Sequence, residues 1–425
     1  MKEIRLPYGK KHISLELDED RLAGVLYSQA EKFRPEATEE TIVRKSLECP
    51  VGSARLSDLA RSAEKVLVIT SDHTRPVPSK VTMPILLEEI RKNNPGVKIK
   101  IVVATGLHRD TTREELVNKF GQVVADCEDI VVHNCRDRNS LVYKGILPSG
   151  GELWLNALID WADLLVAEGF IEPHFFAGYS GGRKSILPGI AGEKTVLANH
   201  CSGFISDTGA VTGNLDNNPV HRDMLFAAKA AGLKFILNVA LDSNKKIIRC
   251  FSGDAEKAHK EGCDFVAALS RVKAVPSEIV VVTNGGYPLD QNIYQSVKGM
   301  STAEMSIKKN GIIIMLAACE DGHGGEAFYK WFKDSRGPAD VAQRIAGIPM
   351  DETICDQWQA QILARILIKH RVIIVTDMCD PQLVKDMFME HAGNIEEALE
   401  IAYRLSPPDA KVTVIPDGVS LVVES

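Results

Sequence analysis

Along the chain, short apolar runs alternate with segments whose apolar positions recur at helical spacing, and most runs end in polar or glycine-rich turns. "KVLVIT" (65–70) is one such run. Beyond its loop, Ile85, Leu86 and Ile90 fall on one helical face, with Ser79 placed to cap the helix and Asn94-Pro95-Gly96 to stop it. "KIKIVVAT" reads as the next strand, followed by a helix that Thr112 and Glu115 open as a capping box and Gly121 closes. Strands joined through helices predict a parallel sheet. "DIVVHNC" (129–135) and "DLLVAEG" (163–169) add strands, and "KFILNVALDSNKKIIRCFSG" reads as a hairpin turning at Asp242-Ser243-Asn244. A helix over roughly 253–271 leads into a second run of strands, "EIVVVTNGG" (278–286), "GIIIMLAAC" (311–319) and "RVIIVTDM" (371–378). The pattern predicts an α/β fold of two domains with largely parallel sheets, residues 1–270 and 271–425. The last strands, in "KVTVIPDGVSLVVES", can return to either domain.

In parallel α/β sheets, ligands sit beyond the carboxyl ends of the strands. The chemically rich segments of this chain follow predicted strand ends. They are Asp72-His73-Thr74-Arg75, Thr105-Gly106-Leu107-His108-Arg109, Glu172-Pro173-His174 and Asn284-Gly285-Gly286-Tyr287. These loops are expected to converge on an active-site cleft between the two domains.

Composition narrows the classes. A net charge of −7 over 425 residues gives no general basic field for nucleic acid. The opening "MKEIRLPYGKKHISLELDED" lacks the apolar core of a signal peptide, and the longest apolar run, "GIIIMLAAC", is far too short to span a bilayer. The nine cysteines show no C-x-x-C pairing, which points to reduced thiols in a cytoplasmic protein.

The stretch "PHFFAGYSGGRKS" (173–185) nearly spells a phosphate-binding loop, but Arg183 stands where that motif needs glycine. Three readings stay open at this point. Gly178, Gly181 and Gly182 permit positive φ and close backbone approach to an anion, with Arg183 and Lys184 adding charge. Equally, the stretch is a structural turn with a basic pair. In the third reading Lys184 is a nucleophile or attachment point, its proton affinity lowered by Arg183 and burial. His108 and His174 sit in turns just after strands, where general bases and plain surface histidines both occur. Arg75, in a proline-stiffened loop, suits capture of a carboxylate or phosphate. Tyr294 and Lys298 share a helical face beside Gln295. Trp358 is either a ring over a ligand or ordinary packing. Taken together, these residues describe an enzyme acting on a small anionic molecule.

"SDHTRPVP", "ATGLHR", "EPHFFAGYSGGRKSILPG", "LANH" and "YQSVKG", in this order over nearly the whole chain, resemble the nickel-dependent lactate racemase family. The resemblance implies a two-domain α/β enzyme interconverting D- and L-lactate. Its cofactor would be a nickel-pincer nucleotide, a pyridinium mononucleotide with thioamide and thiocarboxylate arms. It implies that Lys184 carries the cofactor covalently, that His200 ligates nickel, and that His108 and His174 alternate as acid and base. Hydride would pass reversibly from the substrate Cα to the cofactor. Ser71, Asp72, Thr74 and Arg75 match the loop that holds the nucleotide, with Arg75 also near the substrate. Gln295, Lys298, Tyr294 and Trp358 match substrate-facing positions. Cofactor-synthesis proteins are implied as partners, and protein made without them is expected to lack the group. Two alternatives are a racemase or epimerase of another 2-hydroxy acid and a non-catalytic nucleotide- or phosphate-binding protein.

Overall fold

The computed structural model describes residues 1–424 and divides into two compact units. One unit comprises Ala30–His200 and Asp207–Ala268. Its six-stranded sheet runs Ile247–Asp254, Leu233–Leu241, Leu164–Phe170, Lys65–Ser71, Lys98–Ala104, Asp129–Val132. Five strands are parallel, and Ile247–Asp254 pairs antiparallel with its neighbour. That antiparallel pair is the expected hairpin, and the Asp242 carboxylate accepts from the Asn244 and Lys246 amides to close its turn. Val66, Val68, Ile101, Val103, Val166 and Leu237 form the buried centre, with Met83, Leu86 and Phe120 from the helices packed on them. Such continuously apolar strands are what a sheet covered on both faces requires.

The other unit comprises Met1–Gln29, Cys201–Ser206 and Leu269–Ser425. Its sheet is wholly parallel, in the order Glu390–Ala392, Arg371–Val375, Ile307–Leu316, Ser277–Thr283, Val412–Ile415, Leu22–Val25. The chain therefore supplies this sheet from both ends. The last and longest segment of this unit begins at Leu269, and the first 29 residues cluster with it and not with residues 30–268. The reason is pairing: Leu22–Val25 lies along Val412–Ile415. The antiparallel hairpin Lys2–Tyr8/Lys11–Leu17 likewise buries Ile4, Leu6, Leu15 and Leu17 against the sheet core. The final strands stay within this unit.

Both sheets are the predicted kind, and the helix starts show where local sequence was overruled. Thr112 caps Arg113–Phe120 in the expected capping box. Ser79, expected as a cap, is instead the first residue of Ser79–Arg91 and turns its hydroxyl inward to the Glu168 carboxylate at 2.9 Å. Among the described residues no helix is long and apolar enough to cross a membrane.

Candidate active site

In the unit built on Ala30–His200 and Asp207–Ala268, the polar loops leave the carboxyl ends of Lys65–Ser71, Lys98–Ala104 and Leu164–Phe170. These three strands are adjacent and parallel, so their loops emerge side by side. The Gly106 amide donates to Gly189 O at 3.0 Å, tying the second loop to the chain that follows the third.

Asp72 and His108 meet across the first two loops. His108 Nδ1 lies 2.6 Å from Asp72 Oδ2, a half-exposed ring standing on a carboxylate that is only 1% exposed. The Thr74 amide and hydroxyl both donate to Asp72 Oδ1, at 3.0 and 2.6 Å, and Arg75 Nη1 donates to the Thr74 hydroxyl at 2.8 Å. Burial pushes the Asp72 carboxyl up. The His108 hydrogen bond, with the charges of His108 and Arg75, outweighs it and holds the group below the ordinary carboxylate value. An ionised Asp72 accepts the hydrogen bond that Nδ1–H donates, which leaves Nε2 of His108 as the basic nitrogen.

His174 sits in a two-residue ribbon, Pro173–His174 against Gly178–Tyr179. The Ala177 amide donates to His174 Nδ1 at 3.3 Å, so the neutral ring carries its proton on Nε2. The two histidines are thus held in opposite tautomers. Phe176 joins the remaining residues, a role the sequence reading missed. Its ring stands edge-on to His174 at 4.6 Å and to His200 at 5.2 Å, and Lys184 Nζ lies 5.8 Å from its centre. The buried His200 ring bonds Val196 O through Nδ1 at 3.0 Å. Burial, then the Lys184 charge, lowers its pKa to about 3.

The glycine-rich loop is built differently from its sequence suggestion. Gly178 and Gly181 do adopt φ of +75°. What approaches closely, however, is the protein itself: a Cβ at Gly178 would lie 2.3 Å from Asn214 O, and one at Gly181 would lie 2.6 Å from Asn238 Oδ1. Two of the loop amides are also spent internally, Ser180 on Glu172 O and Gly182 on Asn238 Oδ1, and are not free to cradle an anion. Arg183 does not serve as an exposed charge either, being 2% exposed. Its guanidinium donates to Ala177 O, Tyr179 O and His221 Nδ1 at 2.6, 2.7 and 3.0 Å. The residue that spoils the phosphate-loop motif is the internal post of the loop, and the fork of donors explains why arginine stands there.

Two histidines beside that post, and a third buried elsewhere in the unit, are held neutral. Burial, then the Arg183 charge, lowers His221 to about 4 and His259 well below its usual value, and burial lowers His133. Unfolding lets all three bind protons below about pH 6.5, so the unfolded chain holds more protons than the fold there. Between about pH 6.5 and 4, stability should fall as pH falls, by up to about 1.4 kcal/mol per pH unit for each histidine. Asp223, raised by burial, opposes this with a single proton. Urea unfolding midpoints of the cofactor-free protein across this range would refute the expectation by staying level or rising as the pH drops.

In the other unit, Tyr294, Gln295 and Lys298 lie on the helix Ile293–Ala303 and Trp358 on Gln357–Lys369. The Tyr294 hydroxyl donates to Asp356 Oδ1 at 2.9 Å, and Gln359 donates its side-chain amide to Tyr294 O. Trp358 is buried. Gln295 Oε1 is buried with no hydrogen-bond partner among the described residues, as is the Ser71 hydroxyl in the first unit. Such orphaned acceptors are expensive unless a ligand completes them.

Two family models cover most of this chain: the lactate racemase N-terminal domain over residues 8–213 and the lactate racemase C-terminal domain over residues 272–423. The chain belongs to the lactate racemase family. A lactate racemase of Thermoanaerobacterium thermosaccharolyticum is 55% identical over 423 residues, covering 100% of this chain and 99% of that protein. One of Lactiplantibacillus plantarum is 52% identical over 424 residues, covering both chains fully. The structure of the T. thermosaccharolyticum lactate racemase apoprotein superposes with a TM-score of 0.97 at 54% identity, with both chains covered fully. A Thermotoga maritima protein shares the fold at a TM-score of 0.69 and 18% identity over 92% of this chain. As a member of the lactate racemase family, the chain is an isomerase.

Proposed function

We propose that this chain interconverts D- and L-lactate, with His108 and His174 as the paired acid and base. The observation that carries the reading is the pair of imidazoles in opposite tautomers, one basic and one protonated at Nε2, in a member of the lactate racemase family. A racemase must treat mirror-image substrates alike, which calls for two proton-handling groups.

The residues fit a nickel-pincer nucleotide. With Nδ1 of His200 committed to Val196 O, its Nε2 is the nitrogen suited to a metal, and burial keeps the ring neutral as a ligand must be. Among the described residues no group of three or more His, Cys, Asp or Glu is arranged to hold a metal. The family resemblance implies one imidazole with the soft donors of the cofactor itself as the ligand set. The unpartnered Ser71 hydroxyl, with Thr74 and Arg75, suits the nucleotide phosphate. Lys184 is the covalent anchor. The bound cofactor supplies a hydride acceptor for the substrate Cα. His108 Nε2 takes the hydroxyl proton from one enantiomer and His174 serves the other. Arg75 and Lys298 hold the carboxylate, and the orphaned Gln295 oxygen accepts from substrate, with Tyr294 and Trp358 shaping its surroundings. We further propose a cytoplasmic location, with its nine cysteines as free thiols, and cofactor-synthesis proteins as partners.

The test is a racemisation assay on protein co-expressed with those partners. A panel of 2-hydroxy acids, each offered as a single enantiomer, should show lactate turned over. Loaded protein that racemises a different 2-hydroxy acid and not lactate would refute the substrate, and loaded protein inert on all would refute the activity.

A further inference from the structure

The polar loop Asn284-Gly285-Gly286-Tyr287 follows a strand end as the other candidate loops do, yet the chemistry above gives it no part. Asn284 comes directly after the strand Ser277–Thr283 and is 1% exposed. Both donors of its side-chain amide and its oxygen are engaged. Nδ2 donates to Leu289 O at 2.6 Å and to Gln295 O at 2.7 Å, and Oδ1 accepts from the Gly299 amide at 3.0 Å. Two of these three partners lie on the helix Ile293–Ala303, which carries Gln295 and Lys298.

The carbonyl of residue i and the amide of residue i+4 are the groups that an α-helix joins to each other. Gln295 O and Gly299 N are such a pair, and the Asn284 side chain reaches both ends of it. The turn so gripped contains Gln295 and Lys298, with Gly299 directly after Lys298. The grip also calls for glycine: a Cβ at Gly299 would lie 2.4 Å from Asn284 Oδ1. Helix propensity by itself favours alanine over glycine, so the close approach of Asn284 is what the glycine serves. The Gln295 amide is held in turn by Asn292 Oδ1 at 2.9 Å. Two asparagine side chains thus fix both backbone groups of the residue whose Oε1 is buried without a hydrogen-bond partner among the described residues.

We propose that Asn284 is a positioning residue for substrate binding: by gripping the Gln295–Gly299 turn from the strand end, it aims Gln295 and Lys298 at the 2-hydroxy acid. The helix does not depend on Asn284 for its place in the unit. Its Ile293, Val297, Met300 and Ala303 are fully buried, and the Thr302 hydroxyl donates to Gly418 O at 2.7 Å. Removing the Asn284 amide therefore loosens one turn and leaves the element docked. Gln295 and Lys298 bind substrate without moving a proton, so the loss falls on KM more than on kcat.

The inference rests on Gln295 and Lys298 meeting the substrate, and the test uses cofactor-loaded protein, with loading measured by intact mass and folding by thermal melts. In N284A the KM for lactate should rise about tenfold, the weight of one hydrogen bond to a charged group, with kcat changed by less than about threefold. G299A keeps Asn284 but sets a methyl against its oxygen, and it should raise KM as well; it is the second variant should N284A fail to fold. The double variant N284A/G299A should match N284A, because the remaining neighbours of that methyl stand at 3.3 Å or beyond. In a K298A background N284A should raise KM by less than about threefold, since a side chain it positions is gone. Unchanged KM in folded N284A or G299A would overturn the proposal, as would an equal rise in KM with and without Lys298. Loaded parent inert on lactate would remove the function and this role together, whereas an active parent whose folded variants keep its KM would remove this role alone.

Discussion

Alanine at His108, at His174 or at both should lower kcat for racemisation by a factor of about 10² to 10⁴, the usual contribution of a positioned acid or base. The opposed tautomers are the reason. Asp72 leaves Nε2 of His108 basic, while the Ala177 amide leaves Nε2 of His174 protonated. Removing one ring strands the enantiomer it serves, and a racemase that loses either direction loses net interconversion. The two losses should not add in the double variant, because either single change already blocks the cycle. His108 is half-exposed but bonded to the buried Asp72 carboxylate, so the melting temperature of each variant is measured beside its activity. Racemisation rates from both enantiomers, with cofactor loading checked by intact mass, decide the matter. A double variant that is loaded, folded and active would end the two-base mechanism.

The second large effect concerns Lys184. Protein co-expressed with the cofactor-synthesis partners should show an added mass that disappears in Lys184→Ala and in Lys184→Arg alike. Arginine keeps the positive charge near His200 and Phe176 but offers no nucleophilic amine. Activity should fall to background in both. An adduct that survives in Lys184→Ala would place the attachment elsewhere, and an adduct lost in alanine yet kept in arginine would mean that charge, not covalent bonding, holds the cofactor.

Much of this architecture was readable in the chain. "KVLVIT" and "KIKIVVAT" are strands because an apolar run buried on both faces has no other stable place, and their loops carry the candidate residues because parallel strands end together. What escaped the sequence depends on distance in space. Ser79 looked like a cap because nothing local announces that Glu168, far along the chain, needs a third hydroxyl. Arg183 looked like a ligand-facing charge, yet its acceptors are carbonyls that converge only once the loop has folded round it. Phe176 read as one apolar residue among others, and only the fold sets it between His174, His200 and Lys184.

The sheet that begins with Leu22–Val25 and closes on Val412–Ile415 has a consequence for synthesis. Emerging from the ribosome, residues 30–268 carry every strand of their own sheet and can fold while translation continues. The first 29 residues emerge earlier but must wait for a neighbour almost 400 positions downstream, a loop closure of the kind that slows folding. During that interval the apolar face of the N-terminal hairpin, with Ile4, Leu6, Leu15 and Leu17, has no sheet to cover it. The start of the chain is therefore the segment of the nascent protein most exposed to misassociation, and the last to find its place.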